Sequence, residues 1–325
     1  MVGEHTIVVE KRLIRYELTI RHKLNIIRGD SGSGKSFLDG MVYDYNIGVG
    51  SAKVRSDLRV RSVRTLEDLK FGISNGDNLF IFDENVFRII TEGDAGESVA
   101  EIVKGEPVYC IFITRESGRT CLPVDVRACY QLEETHVAGR TIRKNVELYQ
   151  WKNDSYIRPT KMFTEDTKVG YKFFKNTLAN TSVIKLGGTG ELTKLGKHLK
   201  KFVNCGDTIY LVADGCAFGF LLHYYILEKE KETQRGYELR LFLPPSFEYL
   251  VLDSDILPKV DKDVLHNTYK YCKVEKYMSL EKFYSDYLSH VTKNKLSKNS
   301  SSLLRYILVP RNTDKIYEYI GEIER

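Results

Sequence analysis

The sequence predicts an α/β protein: a sheet that opens with antiparallel strands, then a small parallel sheet, then a helical C-terminal region. Three observations lead there. Residues 6–20 alternate apolar and polar side chains, the period-2 mark of half-buried strands. Residues 24–27, 79–82 and 108–113 are unbroken apolar runs that end in polar or charged residues, as parallel strands buried on both faces do. From residue 161 to 243, strand-like runs alternate with helix-compatible stretches, the pattern of a parallel sheet with helices on its faces. The apolar pattern restarts at Tyr156-Ile157-Arg158-Pro159, so the expected segments are 1–156, 157–258 and 259–325.

Composition bounds the class. With 325 residues, 42% apolar and 29% charged, the chain suits two ordinary soluble domains. No apolar run nears the ~20 residues of a membrane-spanning helix. The opening Met-Val-Gly-Glu-His has no basic and apolar leader, so a cytoplasmic protein without membrane contact is expected. Six cysteines without a Cys-x-x-Cys pair read as buried thiols in a reducing compartment rather than as a zinc site. The net charge of +5 lies wholly in residues 159–325, which hold 26 Lys and Arg against 21 Asp and Glu; residues 1–158 hold 23 of each. Lys293, Lys295 and Lys298 contribute to it, either as a solvated loop or as contacts to nucleic-acid phosphates.

In chain order, two antiparallel strands over 6–20 lead into the apolar run 24–27. Gly29-Asp30-Ser31-Gly32-Ser33-Gly34-Lys35-Ser36 follows and satisfies the Walker A pattern without a mismatch. Glycines in this loop let the backbone curl and turn successive N–H groups toward phosphate oxygens. Lys35 is placed to reach the β- and γ-phosphates of ATP, and the Ser36 hydroxyl to ligate Mg²⁺. A helix over 37–45 adds its N-terminal dipole. A strand over 58–63, a helix over 65–73 and the Asn75-Gly76-Asp77 turn come next.

Residues 79–82 then end in Asp83-Glu84, the Walker B shape. An apolar parallel strand buried beside the phosphate-loop strand would deliver Asp83 to the Mg²⁺, and Glu84 would orient or deprotonate the attacking water. The Asp-Glu pair favours an ATPase over a small-molecule kinase, whose acceptor is itself the nucleophile. After a helical stretch over 86–104, the run 108–113 ends in Thr114 and Arg115, candidates for contact with the γ-phosphate or its water. Residues 128–151 read as a hairpin turning at Ala138-Gly139-Arg140.

The second half gives strands over 161–164, 182–186, 208–213 and 238–243, with helices over 170–178, 191–202 and 216–229 between them. Functional residues of such sheets gather at the carboxyl ends of the strands. Glu165, Asp166, the Gly187-Gly188-Thr189-Gly190 turn and Asp214 fall there, with Glu248, Asp253 and Asp255 just beyond. Clustered carboxylates invite a second Mg²⁺ that could polarise a phosphodiester. Residues 262–325 read as helical and rich in tyrosine, as core or as a base-stacking surface.

Antiparallel strands leading into Walker A, then Walker B ending in Asp-Glu, resemble the ABC-type and related P-loop ATPases over roughly residues 5–150. No Leu-Ser-Gly-Gly-Gln-like signature is present, and residues 37–82 leave no room for the usual helical insert. Residues 160–255 resemble a Toprim domain: Glu165 matches its first acid and Gly187–Gly190 its glycine-rich turn. Asp214-Gly215-Cys216 matches its Asp-x-Asp with the second Asp missing. Glu248 or Asp253 would have to substitute.

A P-loop ATPase joined to a Toprim domain resembles the overcoming-lysogenisation-defect family of nucleases. That resemblance implies ATP and Mg²⁺ as ligands, DNA or RNA as partner, self-association or a partner protein, and a role in phage defence or in a mobile element. Three functions stand at this point: an ATPase regulating a nuclease, a nucleotide-gated sensor with a non-cleaving second domain, and a P-loop kinase.

Overall fold

The computed structural model describes residues 1–29, 32–86, 99–114, 122–149, 156–321 and 323. Contacts divide the chain into two units: residues 1–150 with 267–278, and residues 151–266 with 279–325.

In the first unit, β1 (His5–Lys11) and β2 (Ile14–Ile20) form the expected antiparallel hairpin, which turns at Arg12 with φ 55°. β3 (Leu24–Arg28), buried at every position, leads through the glycine loop into α1 (Lys35–Asn46). β4 (Lys53–Ser56), which the sequence does not announce, pairs antiparallel with β1. Its Lys-Val-Arg-Ser holds one apolar residue, so it becomes a strand because the edge of β1 offers backbone partners.

β5 (Val60–Val63), α2 (Leu66–Ser74), β6 (Leu79–Phe82), α3 (Val99–Val103), β7 (Tyr109–Thr114) and the antiparallel hairpin of β8 (Cys129–Val137) with β9 (Arg140–Glu147) complete the unit. α2 is capped by Thr65, whose hydroxyl accepts the Asp68 N–H. Of the helix expected over 86–104, α3 covers 99–103; residues 87–98 lie outside the described residues.

Among the described residues nine strands form the sheet, in the order β4-β1-β2-β9-β8-β3-β7-β6-β5. β8, β3, β7, β6 and β5 are mutually parallel, and the two hairpins make the sheet mixed. One expectation is corrected here. β6 does not lie beside β3, because β7 pairs with both and separates them.

The expected segmentation also changes, because residues 267–278 join the first unit. The Gly3 N–H donates to the Tyr269 carbonyl at 2.8 Å and the Val274 N–H to the Met1 carbonyl at 2.9 Å. Buried Lys23 donates to the carbonyls of Val274 and Glu106 at 2.9 and 2.7 Å. Val274 itself packs in the core of this unit.

The second unit holds a four-stranded parallel sheet in the order β11-β10-β12-β13, formed by β10 (Lys161–Thr164), β11 (Ser182–Lys185), β12 (Thr208–Val212) and β13 (Glu238–Phe242). α4 (Val169–Thr177) follows β10. The helix expected over 191–202 is broken into α5 (Thr189–Leu192) and α6 (Leu195–Phe202). The one expected over 216–229 begins only at α7 (Leu222–Lys229), and α8 (Glu232–Arg235) is a single turn after it.

α9 (Phe247–Asp253) is buried along its whole length, with Ser246 as its N-cap. α10 (Lys262–His266), α11 (Leu280–Val291), α12 (Ser301–Ile307) and α13 (Pro310–Ile320) follow, and α11 to α13 belong to the unit that holds the parallel sheet rather than to a separate helical region. Several of the late tyrosines pack there. Tyr284 is fully buried edge-on to Tyr249 at 5.0 Å, and Tyr317 stacks on Phe173 at 5.6 Å. Burying such a ring stabilises the fold by ~2 kcal/mol.

Candidate functional site

Sheet register assembles the first site. Arg28 at the end of β3 is level with Thr114 of β7, and Phe112 is level with Phe82 of β6, on which it stacks at 5.0 Å. The glycine loop, Thr114 and Asp83 therefore leave the sheet in a row along one edge. With strands about 4.8 Å apart, Asp83 lies roughly 10 Å from β3, with Thr114 between.

Lys35 opens α1 and is only 4% exposed. Its ammonium donates to the Gly29 carbonyl and to Ser33 Oγ, the latter at 2.7 Å. Ser36 is exposed. Gly29 and Gly34 have φ of 148° and 84°, and Gly32 lies between them with φ 92°. At Gly34 a side chain is excluded twice over. A Cβ there would lie 2.1 Å from Arg143 Nη1 and 2.6 Å from the Tyr16 hydroxyl.

That crowding is a brace. The Tyr16 hydroxyl donates to the Gly34 carbonyl at 2.7 Å, Arg143 donates to the Tyr16 oxygen at 2.7 Å, and Glu134 pairs with Arg143 at 2.6 Å. The brace escapes a reading of the motif because β2 and β9 are parallel neighbours that lie far apart in the sequence. Asp30, Ser31 and Arg115, expected at this site, lie outside the described residues.

One carboxylate oxygen of Asp83 is buried and has no hydrogen-bond partner among the described residues. Glu84 begins the helical backbone that follows and is half-buried. Asp39, one turn after Lys35 on α1, accepts from Ser62 Oγ at 2.7 Å and pairs with Arg64 at 2.8 Å. Burial, and more weakly the charge of Asp83, pushes the Asp39 carboxyl up.

This set fits Mg²⁺, which keeps several waters and needs only one or two carboxylates beside the substrate phosphates. The unsatisfied Asp83 oxygen and the exposed Ser36 hydroxyl are the available donors. Thr114 is 3% exposed at the end of β7.

In the second unit the carboxyl ends of β10 and β12 bring together some of the expected acids. Burial, then the charges of Glu248 and Glu165, push the Asp214 carboxyl well up. Its Oδ1 accepts the Phe247 N–H at 3.2 Å. Glu248, 3% exposed in the first turn of α9, keeps one oxygen without a partner, and burial raises it too. Asp166 precedes α4 and accepts from the N–H groups of Lys168 and Gly170 at 2.7 and 2.5 Å.

Asp253 does not join them. It sits at the far end of α9, where it binds Lys262 at 2.8 Å, the Tyr319 hydroxyl at 2.9 Å and His266 at 3.2 Å. Seven residues of helix place Glu248 and Asp253 at opposite ends, so Asp253 is corrected from metal ligand to structural hub. Among the described residues, no group of three or more His, Cys, Asp or Glu side chains is placed to hold a metal ion. The cavity lined by Thr164, Asp166, Asp214 and Phe247 measures only about 10 Å³, room for about one water.

No protein-family model, curated protein or solved structure matches the chain. Among the described residues no helix is long and apolar enough to cross a membrane.

Proposed function

We propose that the chain is a Mg²⁺-dependent ATP-binding and ATP-hydrolysing protein of the P-loop type, whose first unit controls a Toprim-like second unit that acts on nucleic acid. One observation carries the reading: the braced glycine loop with Lys35, Thr114 and the partnerless oxygen of Asp83 stand in a row at a single sheet edge. Backbone N–H groups of the loop and the α1 N-terminus bind the phosphates, and Lys35 exchanges its loop contacts for phosphate oxygens. Ser36 and Asp83 would hold Mg²⁺, which supplies charge neutralisation at the terminal phosphates. Thr114 orients the γ-phosphate, and Glu84 holds the attacking water and accepts its proton. Lys35→Ala is expected to abolish ATP binding, and Glu84→Gln to retain bound ATP without hydrolysing it. Undiminished turnover in the Glu84 variant removes that residue from the chemistry.

A second reading, a nucleotide-gated binding module that does not cut, is favoured by the acids of the second unit. Asp253 is committed elsewhere, and the cavity beside Asp214 is too small for a phosphodiester. Incubating the protein with plasmid, single-stranded DNA and RNA in Mg²⁺ or Mn²⁺ separates the two. Cleavage that disappears in Glu165→Ala supports the nuclease, and binding without cleavage supports the module.

A further inference from the structure

We propose that the second unit carries a binding cleft for a phosphate-bearing nucleotide, built by α6, α7 and α8 and sharing no residue with the acids at the sheet edge. It rests on the reading that this unit handles nucleic acid.

The cleft measures about 370 Å³, within the usual range of ligand pockets. Lys194, Lys197, Lys200, Lys231 and Arg235 line it, against one carboxylate, Glu228. Glu228 is 8% exposed and holds Lys231 at 2.9 Å and Arg235 at 2.6 Å. A Cβ on Gly196 would lie 2.7 Å from its Oε1, so this carboxylate rests against the first turn of α6. The wall of the cleft thus already shelters one anion among cations.

The remaining charge is unspent. Lys194 pairs with Glu191 at 2.7 Å, whereas Lys197 and Lys200 are exposed and have no acid partner among the described residues. Residues 194–201, Lys-Leu-Gly-Lys-His-Leu-Lys-Lys, contain no acid at all. A solvated helix face normally mixes both signs. Here lysines three residues apart stand on one side and repel one another, and an anionic ligand relieves that repulsion. Tyr224 and the exposed Leu227, on α7, add a ring face and an apolar surface beside the cations. Cations with an adjacent aromatic ring are what a nucleotide requires, phosphate on one and base on the other.

The test uses the full chain without ATP, in a Lys35→Ala background so that the glycine loop takes no part. Binding of a fluorescein-labelled oligo-dT is followed by anisotropy, with AMP and inorganic phosphate as competitors. The double variant Lys197→Glu/Lys200→Glu is expected to weaken oligonucleotide binding at least tenfold. Its salt slope should shrink by about 1.4, at ~0.7 per phosphate contact on a single strand. Tyr224→Ala should weaken oligonucleotide and AMP but not inorganic phosphate. Lys293→Glu/Lys295→Glu serves as a control of equal charge change and should bind more tightly than the cleft variant.

Displacement by AMP identifies a free nucleotide as the occupant; binding of the oligonucleotide alone identifies a strand. The proposal is overturned if neither ligand binds, or if the folded cleft variant, checked by its thermal melt, binds like its parent. Neither result bears on ATP at the first unit, which the Lys35 variant tests separately.

Discussion

At the level of single residues the two units spend their charged groups differently. In the first, Tyr16 and Arg143 hold the Gly34 carbonyl at the entry to α1. Tyr16→Phe removes the donor to Gly34 and the acceptor for Arg143. It should cost ~1 kcal/mol in stability and several-fold in ATP affinity, read by urea denaturation and calorimetry. In the second unit Asp214 is the informative residue. Its pKa is raised in the fold by burial and by Glu248 and Glu165. Such a group contributes stability that is fully present below the unfolded value, about 3.9, and lost as pH rises through the folded value. Asp214→Asn should therefore match the parent near pH 4 and exceed it in thermal midpoint at pH 8. A parent that stays the more stable at pH 8 would mean that its carboxylate is compensated within the fold.

Elements follow from the sequence more readily than their arrangement does. Unbroken apolar runs such as Leu79–Phe82 leave little choice but a buried strand, and the Walker A spacing places the loop between β3 and α1. Which strands become neighbours depends on how the chain crosses over, and no local pattern records that β7 enters between β3 and β6. The same limit hides the Tyr16–Arg143 brace and the pairing that makes β4. It also misassigned Asp253, because an acid beyond a strand looks alike whether it faces a site or ends a packed helix bound to other side chains.

α9 offers the corresponding test. Burial pushes the Asp253 carboxyl up, but hydrogen bonds from Lys262 and Tyr319 outweigh it and hold the group down. Asp253→Asn should cost about 1.5–3 kcal/mol, seen as a lower denaturation midpoint. It should leave any Mn²⁺ binding by the unit unchanged in calorimetry. A loss of metal with unaltered stability would return Asp253 to the list of ligands.

Across the whole molecule, chain order and architecture part company. The first unit is discontinuous: residues 267–278 return to it after most of the second unit has been built. The sequence reads that stretch as part of a helical region over 262–325, and nothing local shows that it returns to the first unit; Val274 in the core and Lys23 holding its carbonyl show it. Lys23 is 5% exposed, and burial lowers its pKa, so losing an acceptor there leaves a donor without its partner in the interior. Two consequences follow for the same contact. A fragment ending at residue 150 forfeits Val274 and the backbone bonds to Gly3 and Met1, a loss of several kcal/mol in combination. Val274→Ala in the full chain forfeits only the packing, about 1–3 kcal/mol. Urea denaturation should place the fragment well below the point variant. A fragment that unfolds at the same denaturant concentration as the first unit of the full chain would mean that the returning segment adds nothing to the stability of residues 1–150.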